Sequence, residues 1–265
     1  MEFLRGGVVQ YLTRRVYDWI STLDRGLDMR VLNYGFDDGC QIPLDPEDQP
    51  HRLRLALYHH VASAVDLENK DVLEIGSGRG GGASYMARHL HPRSVHGVDL
   101  SPKAIDFCQQ FYSVPNLSFS KGNAEALDLE NNSYDVAVNI ESSHYYSNKG
   151  KFLSEVHRVL KPGGFFLFAD MRPADQVEAL RYLLEHSGMI MVREEDITSN
   201  VLLALDKDND YKQAVIERSV PRFMQKPFST FAGVKGTRFY NQLQSGDLSY
   251  FNLVLQKQLL SIESV

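Results

Sequence analysis

The stretch Glu74-Ile75-Gly76-Ser77-Gly78-Arg79-Gly80-Gly81 follows the apolar run Val72-Leu73 and leads into Ala83-Ser84-Tyr85-Met86-Ala87. A short apolar strand that ends in alternating glycines and turns at once into a helix is the opening of a βαβ unit. Residues without a Cβ tolerate the backbone of that turn and let another group approach it closely. The rest of the chain keeps the alternation. SVHGVDL at 94–100 reads as a second strand, and SPKAIDFCQQFY as a helix capped by Ser101 with Pro102 at its first position. LSFSKGN is a third strand, YDVAVNIE a fourth, KFLSEVHRVL a helix and GGFFLFAD a fifth strand. VEALRYLLEHSG and GTRFYNQLQSG read as helices, and MIMVREEDI and LSYFNLVLQK as the last two strands. The expected fold is α/β: a Rossmann-like, mostly parallel seven-stranded sheet with helices on both faces.

Length beyond that core divides into two parts. Residues 1–65 are expected to be an N-terminal helical segment, with Val8, Val9, Leu12, Val16, Trp19, Ile20 and Leu23 at helical spacing. Residues 66–265 are the core, with a helical cap insertion at about 199–232 that mixes Leu202, Leu203, Leu205, Phe223, Met224, Phe228 and Phe231 with charge. Within it, 206–210 (DKDND) reads as a solvated turn without calcium-loop spacing.

Composition excludes several classes. With 28 Lys+Arg against 34 Asp+Glu, a net charge of −6, no nucleic-acid surface is indicated. Cys40 and Cys108 are the two cysteines and form neither a disulfide framework nor a zinc ribbon. No apolar run approaches the ~18 residues that span a bilayer, and the opening MEFLRGGVVQYLTRR lacks a signal-peptide apolar region. A reduced, soluble, cytoplasmic protein is expected. Nine histidines invite a metal reading, but His59 and His60 diverge on a helix, and no neighbour in sequence completes a site at His89 and His91. No metal is expected.

Two ligands fit the glycine turn. Gly76, Gly78 and Gly81 have the G-x-G-x-x-G spacing of dinucleotide folds, with Asp99 about 20 residues on. With Gly80, the same stretch also reads E-x-G-x-G-x-G, which resembles the opening turn of S-adenosylmethionine-dependent methyltransferases. A carboxylate at the strand end repels a pyrophosphate and attracts the amine of S-adenosylmethionine, which favours the second reading at Glu74. Asp99 can accept ribose hydroxyls in either. Downstream, Gly122-Asn123-Ala124-Glu125 stands where methyltransferases of this class show Gly-Asp-Ala-Glu, and Lys161-Pro162-Gly163-Gly164 turns into strand five.

VLEIGSGRGGGASYMARHLHP, NIESSHYY, RVLKPGGFFLFADMRP and GDLSYF, with the earlier LNYGF and HRLRLALYHH, resemble the phthiotriol and phenolphthiotriol dimycocerosate methyltransferases from about residue 30 to about 257. The resemblance implies a class I methyltransferase that transfers a methyl group from S-adenosylmethionine to a hydroxyl of an apolar natural product such as a polyketide or lipid. It implies cofactor contacts at Glu74, Gly76, Gly78, Gly80, Asp99, Leu100, Asn123, Ala124, Glu125 and Asn139. Asn123 departs from the family's Asp, though an amide still accepts from the adenine amine. Related indole and terpene enzymes methylate carbon, which is the alternative reaction. They also assemble through N-terminal helices, which implies a homo-oligomer.

An aliphatic hydroxyl needs a proton acceptor, and a histidine, with an ordinary pKa of about 6.5, is the usual one near neutral pH. His144 follows strand four and Asp170 ends strand five, both at the carboxyl edge of the sheet where ligands bind. In similar sugar O-methyltransferases the histidine of this ESSH position is the general base and the aspartate supports it. The same roles are expected here, with Tyr145 where those enzymes carry a second histidine; the competing reading has both residues as loop and helix caps. Glu141 either bonds near the methionine portion or finishes strand four. Tyr145 and Tyr146 either line the acceptor pocket or pack beside it.

Overall fold

The computed structural model describes residues 29–259. One sheet organises it, in the order β3-β2-β1-β4-β5-β7-β6. The strands are β1 (Asp71–Ile75), β2 (Ser94–Asp99), β3 (Leu117–Lys121), β4 (Tyr134–Ile140), β5 (Leu160–Pro173), β6 (Met189–Asp196) and β7 (Leu248–Lys257). Neighbours among β1 to β5 pair in parallel, and β7 runs antiparallel between β5 and β6. The seven-stranded, mostly parallel sheet of the sequence reading is thus present.

The central strands are buried on both faces, so their sequences are nearly unbroken apolar runs. Alternate residues feed opposite cores. Val72, Val136, Val138 and Leu167 join one cluster with α1 (Arg52–Ala62) and α2 (Gly81–His89). Leu73, Ala137, Phe166 and Phe168 join the other, against α4 (Lys149–Val159) and α5 (Val177–Glu185). In chain order α3 (Pro102–Phe111) comes between α2 and α4; Ser101 Oγ accepts from the Ala104 amide at 3.2 Å and Pro102 opens the helix. That is the cap the sequence predicts.

The insertion folds as α6 (Thr198–Ser219) and α7 (Arg222–Phe231), followed by α8 (Arg238–Ser245). A third cluster, Met29, Val215, Ile216, Val220, Phe228 and Val234, joins it to the start of the described chain. The stretch 206–210 is not a turn but the middle of the 22-residue α6. Asp208 is buried there against Arg54 of α1 at 2.6 Å, and Asp206 accepts from the Tyr240 hydroxyl at 2.9 Å. Polar composition alone suggested solvent, but partners from other elements supply the counter-charges.

In the N-terminal segment, loop chemistry at Gly35, Asp37, Asp38, Gly39, Pro43 and Pro46 gives way after Pro50 to apolar residues at helical spacing, and the described residues follow that pattern. Residues 29–45 are irregular, a short 3-10 turn covers Pro46–His51, and regular helix begins only at Arg52. The amphipathic stretch from Val8 to Leu23 lies outside the described residues. Among those described, no helix is long and apolar enough to cross a membrane. Asp45 and Asp48 do come beside His89 in space. Arg88 pairs with both carboxylates and Arg30 reaches Asp48 at 2.8 Å, so that acidic pair already has its cations.

Candidate active site

Two adjoining cavities open at the carboxyl ends of β1, β2, β3 and β4. The first is walled by the glycine turn (Gly76, Gly78), the end of β2 (Asp99, Leu100) and the turn after β3 (Asn123, Ala124). Gly76 has φ +79°, and a Cβ there would meet Ser142 Oγ at 2.4 Å. The turn can therefore pass beneath Ser142 only without a side chain. Asp99 is fixed by two amides, with Oδ2 accepting from Gly78 and Oδ1 from Ser101, each at 2.8 Å. A carboxylate so held retains lone pairs for a ligand's hydroxyls.

Other residues expected on the cofactor stand elsewhere. Glu74 is not on the wall; it is buried behind Tyr58, whose hydroxyl donates to Oε1 at 2.7 Å. Gly82 permits this, since a Cβ there would lie 1.9 Å from the Tyr58 ring. Burial pushes the Glu74 carboxyl up to about 8, partly offset by the Tyr58 bond. Gly80 packs against Phe119 and Cys108. Glu125 points to the loop before α4 and accepts from the Ser147 and Asn148 amides at 2.8 and 3.1 Å. Asn139 is fully buried, and its amide donates to Ile75 O at 2.8 Å, Ser142 Oγ at 2.7 Å and the Tyr146 hydroxyl at 3.1 Å. Tyr146 therefore belongs to the cofactor side rather than the acceptor pocket.

The second cavity is mostly apolar, walled by Met29, Val215, Ile216, Phe228 and Phe231, with His144, Asn33, Arg54 and Lys212 among its polar groups. Val31, Leu32, Glu141 and Tyr145 line both cavities, so these four mark the boundary. Glu141 reaches it from a left-handed backbone, φ +49°, just past the end of β4. Its Oε1 accepts from the Tyr34 amide and the Tyr250 hydroxyl, both at 2.8 Å.

His144 and Asp170 meet as the sequence reading expected. His144 Nδ1 lies 2.7 Å from Asp170 Oδ1, with the aspartate fully buried and the imidazole one-fifth exposed. Asp170 Oδ2 also accepts from Ser143 Oγ at 2.6 Å and from the His144 amide at 3.1 Å, and Arg172 Nη1 lies 3.1 Å away. Burial would raise the Asp170 pKa, but the charges of His144 and Arg172 and these bonds outweigh it and hold the carboxyl well below its usual range. An ionised aspartate on Nδ1 selects the Nδ1–H tautomer and leaves Nε2 to accept a proton.

Comparison with known proteins fits this geometry. Residues 73–168 match the methyltransferase domain family. The phthiotriol/phenolphthiotriol dimycocerosates methyltransferase of Mycobacterium tuberculosis is 36% identical over 237 residues, 88% of each chain. The chain belongs to this methyltransferase family. A fatty-acid O-methyltransferase of Mycolicibacterium smegmatis is 34% identical over 92% of this chain and 89% of its own. The geranyl diphosphate C-methyltransferase of Streptomyces coelicolor, solved with S-adenosylhomocysteine, superposes with a TM-score of 0.66 at 17% identity, over 94% of this chain and 98% of its own. That last likeness concerns the fold alone.

As a member of the family, the chain is an S-adenosylmethionine-dependent methyltransferase. The first cavity suits the cofactor: a Cβ at Gly78 would meet nothing within 4 Å, so the turn leaves room for a ligand against its backbone. Three groups of this site had escaped the sequence reading. Ser143 and Arg172 flank motif residues, within ESSH and ADMRP, and could have been found there. Residues 30–32, which wall the cofactor cavity, form irregular backbone with no periodicity to read.

Proposed function

We propose that the protein O-methylates a hydroxyl of a long apolar molecule, a lipid or polyketide, with His144 as general base. The observation that carries this is His144, paired with the buried Asp170, on the wall of an apolar cavity that adjoins the cofactor site. S-adenosylmethionine supplies an electrophilic methyl group and departs as S-adenosylhomocysteine. The protein's own work is positioning and proton transfer. Gly76, Gly78, Asp99, Leu100, Asn123 and Ala124 hold the cofactor, and Met29, Val215, Ile216 and Phe228 take the acceptor's apolar body. As the hydroxyl oxygen bonds to carbon, its proton passes to His144 Nε2. Asp170 keeps the imidazole oriented and balances the charge it then carries. Arg172 and Ser143 keep Asp170 ionised.

The curated relatives support the lipid class, since their names specify dimycocerosates and a fatty acid. The test is the product. Incubation with S-adenosylmethionine and a long-chain hydroxylated lipid is expected to give a methyl ether, seen by NMR as a methyl carbon bonded to oxygen. A methyl group on carbon would overturn the reading.

A further inference from the structure

Lys212 lies on α6 with its side chain on the wall of the acceptor cavity. It is 6% exposed, yet its ammonium has no hydrogen-bond partner among the described residues. Asp208, one turn earlier, comes to 3.8 Å, but the same Oδ2 is already bonded to Arg54 at 2.6 Å. Two buried cations thus share one carboxylate. Glu141, the acidic residue on the cavity wall, accepts from the Tyr34 amide and the Tyr250 hydroxyl at Oε1. A buried ammonium whose one nearby carboxylate is 3.8 Å away and shared with an arginine is undercompensated unless something in the cavity supplies a further partner. Its Nζ lies 5.9 Å from the Tyr34 ring centroid, and elsewhere the cavity wall is largely apolar, with Val215, Ile216, Phe228 and Phe231.

A ligand that satisfies both features has a long apolar body and an anionic oxygen. We propose that Lys212 docks a carboxylate of the acceptor, which makes the acceptor a long-chain hydroxy acid rather than a neutral alcohol. This rests on the second cavity being the acceptor site. It assigns Lys212 a role in selecting the substrate and none in the transfer itself. A lysine suits the task, since its compact charge can meet a carboxylate without the two-pronged geometry of arginine.

Calorimetry on the protein saturated with S-adenosylhomocysteine tests this, with 3-hydroxyhexadecanoate and its methyl ester as probes. The two share chain and hydroxyl and differ in charge. Wild type is expected to bind the acid about tenfold more tightly or better. Lys212→Met should bind acid and ester alike, and Lys212→Arg should keep part of the preference. Equal affinities in wild type, no measurable binding of the acid, or a preference that survives in Lys212→Met overturns the proposal. Should Lys212→Met fail to fold, the wild-type comparison still decides. His144→Ala should keep the acid preference, so a failure of the proton-transfer reading shows in turnover and leaves this binding result separate.

Discussion

The Tyr250 hydroxyl donates to Glu141 Oε1 at 2.8 Å, so the last strand of the sheet holds the residue at which the two cavities meet. Glu141 keeps a left-handed backbone, uncommon for a residue with a side chain, because this bond, the Tyr34 amide and its own amide's bond to Ala169 O at 2.8 Å fix it on three sides.

Burial gives the pair Glu74 and Glu141 a shared signature. Desolvation raises each carboxyl from 4.5 to about 8, more than the bonds from Tyr58, Tyr34 and Tyr250 lower it. Their neutral forms favour the fold, so their contribution is complete below the unfolded value, declines as pH rises, and is gone above about 8. Glu74→Gln should therefore lose less stability than wild type between about pH 5 and about pH 8, by at most ~1.4 kcal/mol per pH unit for one proton. Denaturant titrations across that range check this; parallel curves would refute it.

Gly76→Ala should abolish cofactor binding. The new Cβ meets Ser142 Oγ at 2.4 Å and the Tyr146 hydroxyl at 3.0 Å, and φ +79° strains any L side chain. A stability loss of about 1–3 kcal/mol is expected from the strain. S-adenosylhomocysteine titration and thermal unfolding measure the two effects, and normal affinity would show that the turn does not form the site.

Asp208→Asn should destabilise the whole fold by roughly 3–5 kcal/mol, since Arg54 and Lys212 would stay buried without their carboxylate. Were 206–210 a solvated turn, the change would stay within about 0.5 kcal/mol. Urea unfolding separates these outcomes.

Ile216→Trp should fill the acceptor cavity while sparing the cofactor cavity, whose wall Ile216 does not join. The expected result is a raised KM for a long-chain acceptor at unchanged S-adenosylhomocysteine affinity. An unchanged KM would place the acceptor elsewhere.

The sheet was legible because its central strands are buried on both sides and so appear as apolar runs between glycine and proline turns. His144 and Asp170 were legible because both follow closely on the last β4–β5 pair, Ile140 with Ala169; β5 itself runs on past Asp170 to Pro173, paired with β7. Glu74 looked like a ligand because only the backbone order was visible; Tyr58, which stands between it and the cavity, is 16 residues away in sequence. Asp208 looked like surface charge for the same reason, its burial depending on Arg54 of α1. Such contacts between distant elements leave no local period in the sequence.

The central claim, proton transfer to His144, is tested most directly by single-turnover methyl transfer in His144→Ala with S-adenosylmethionine saturating. A rate lower by ~10²–10⁴ than wild type, with S-adenosylhomocysteine affinity unchanged, is the predicted result. Transfer at the wild-type rate would contradict it.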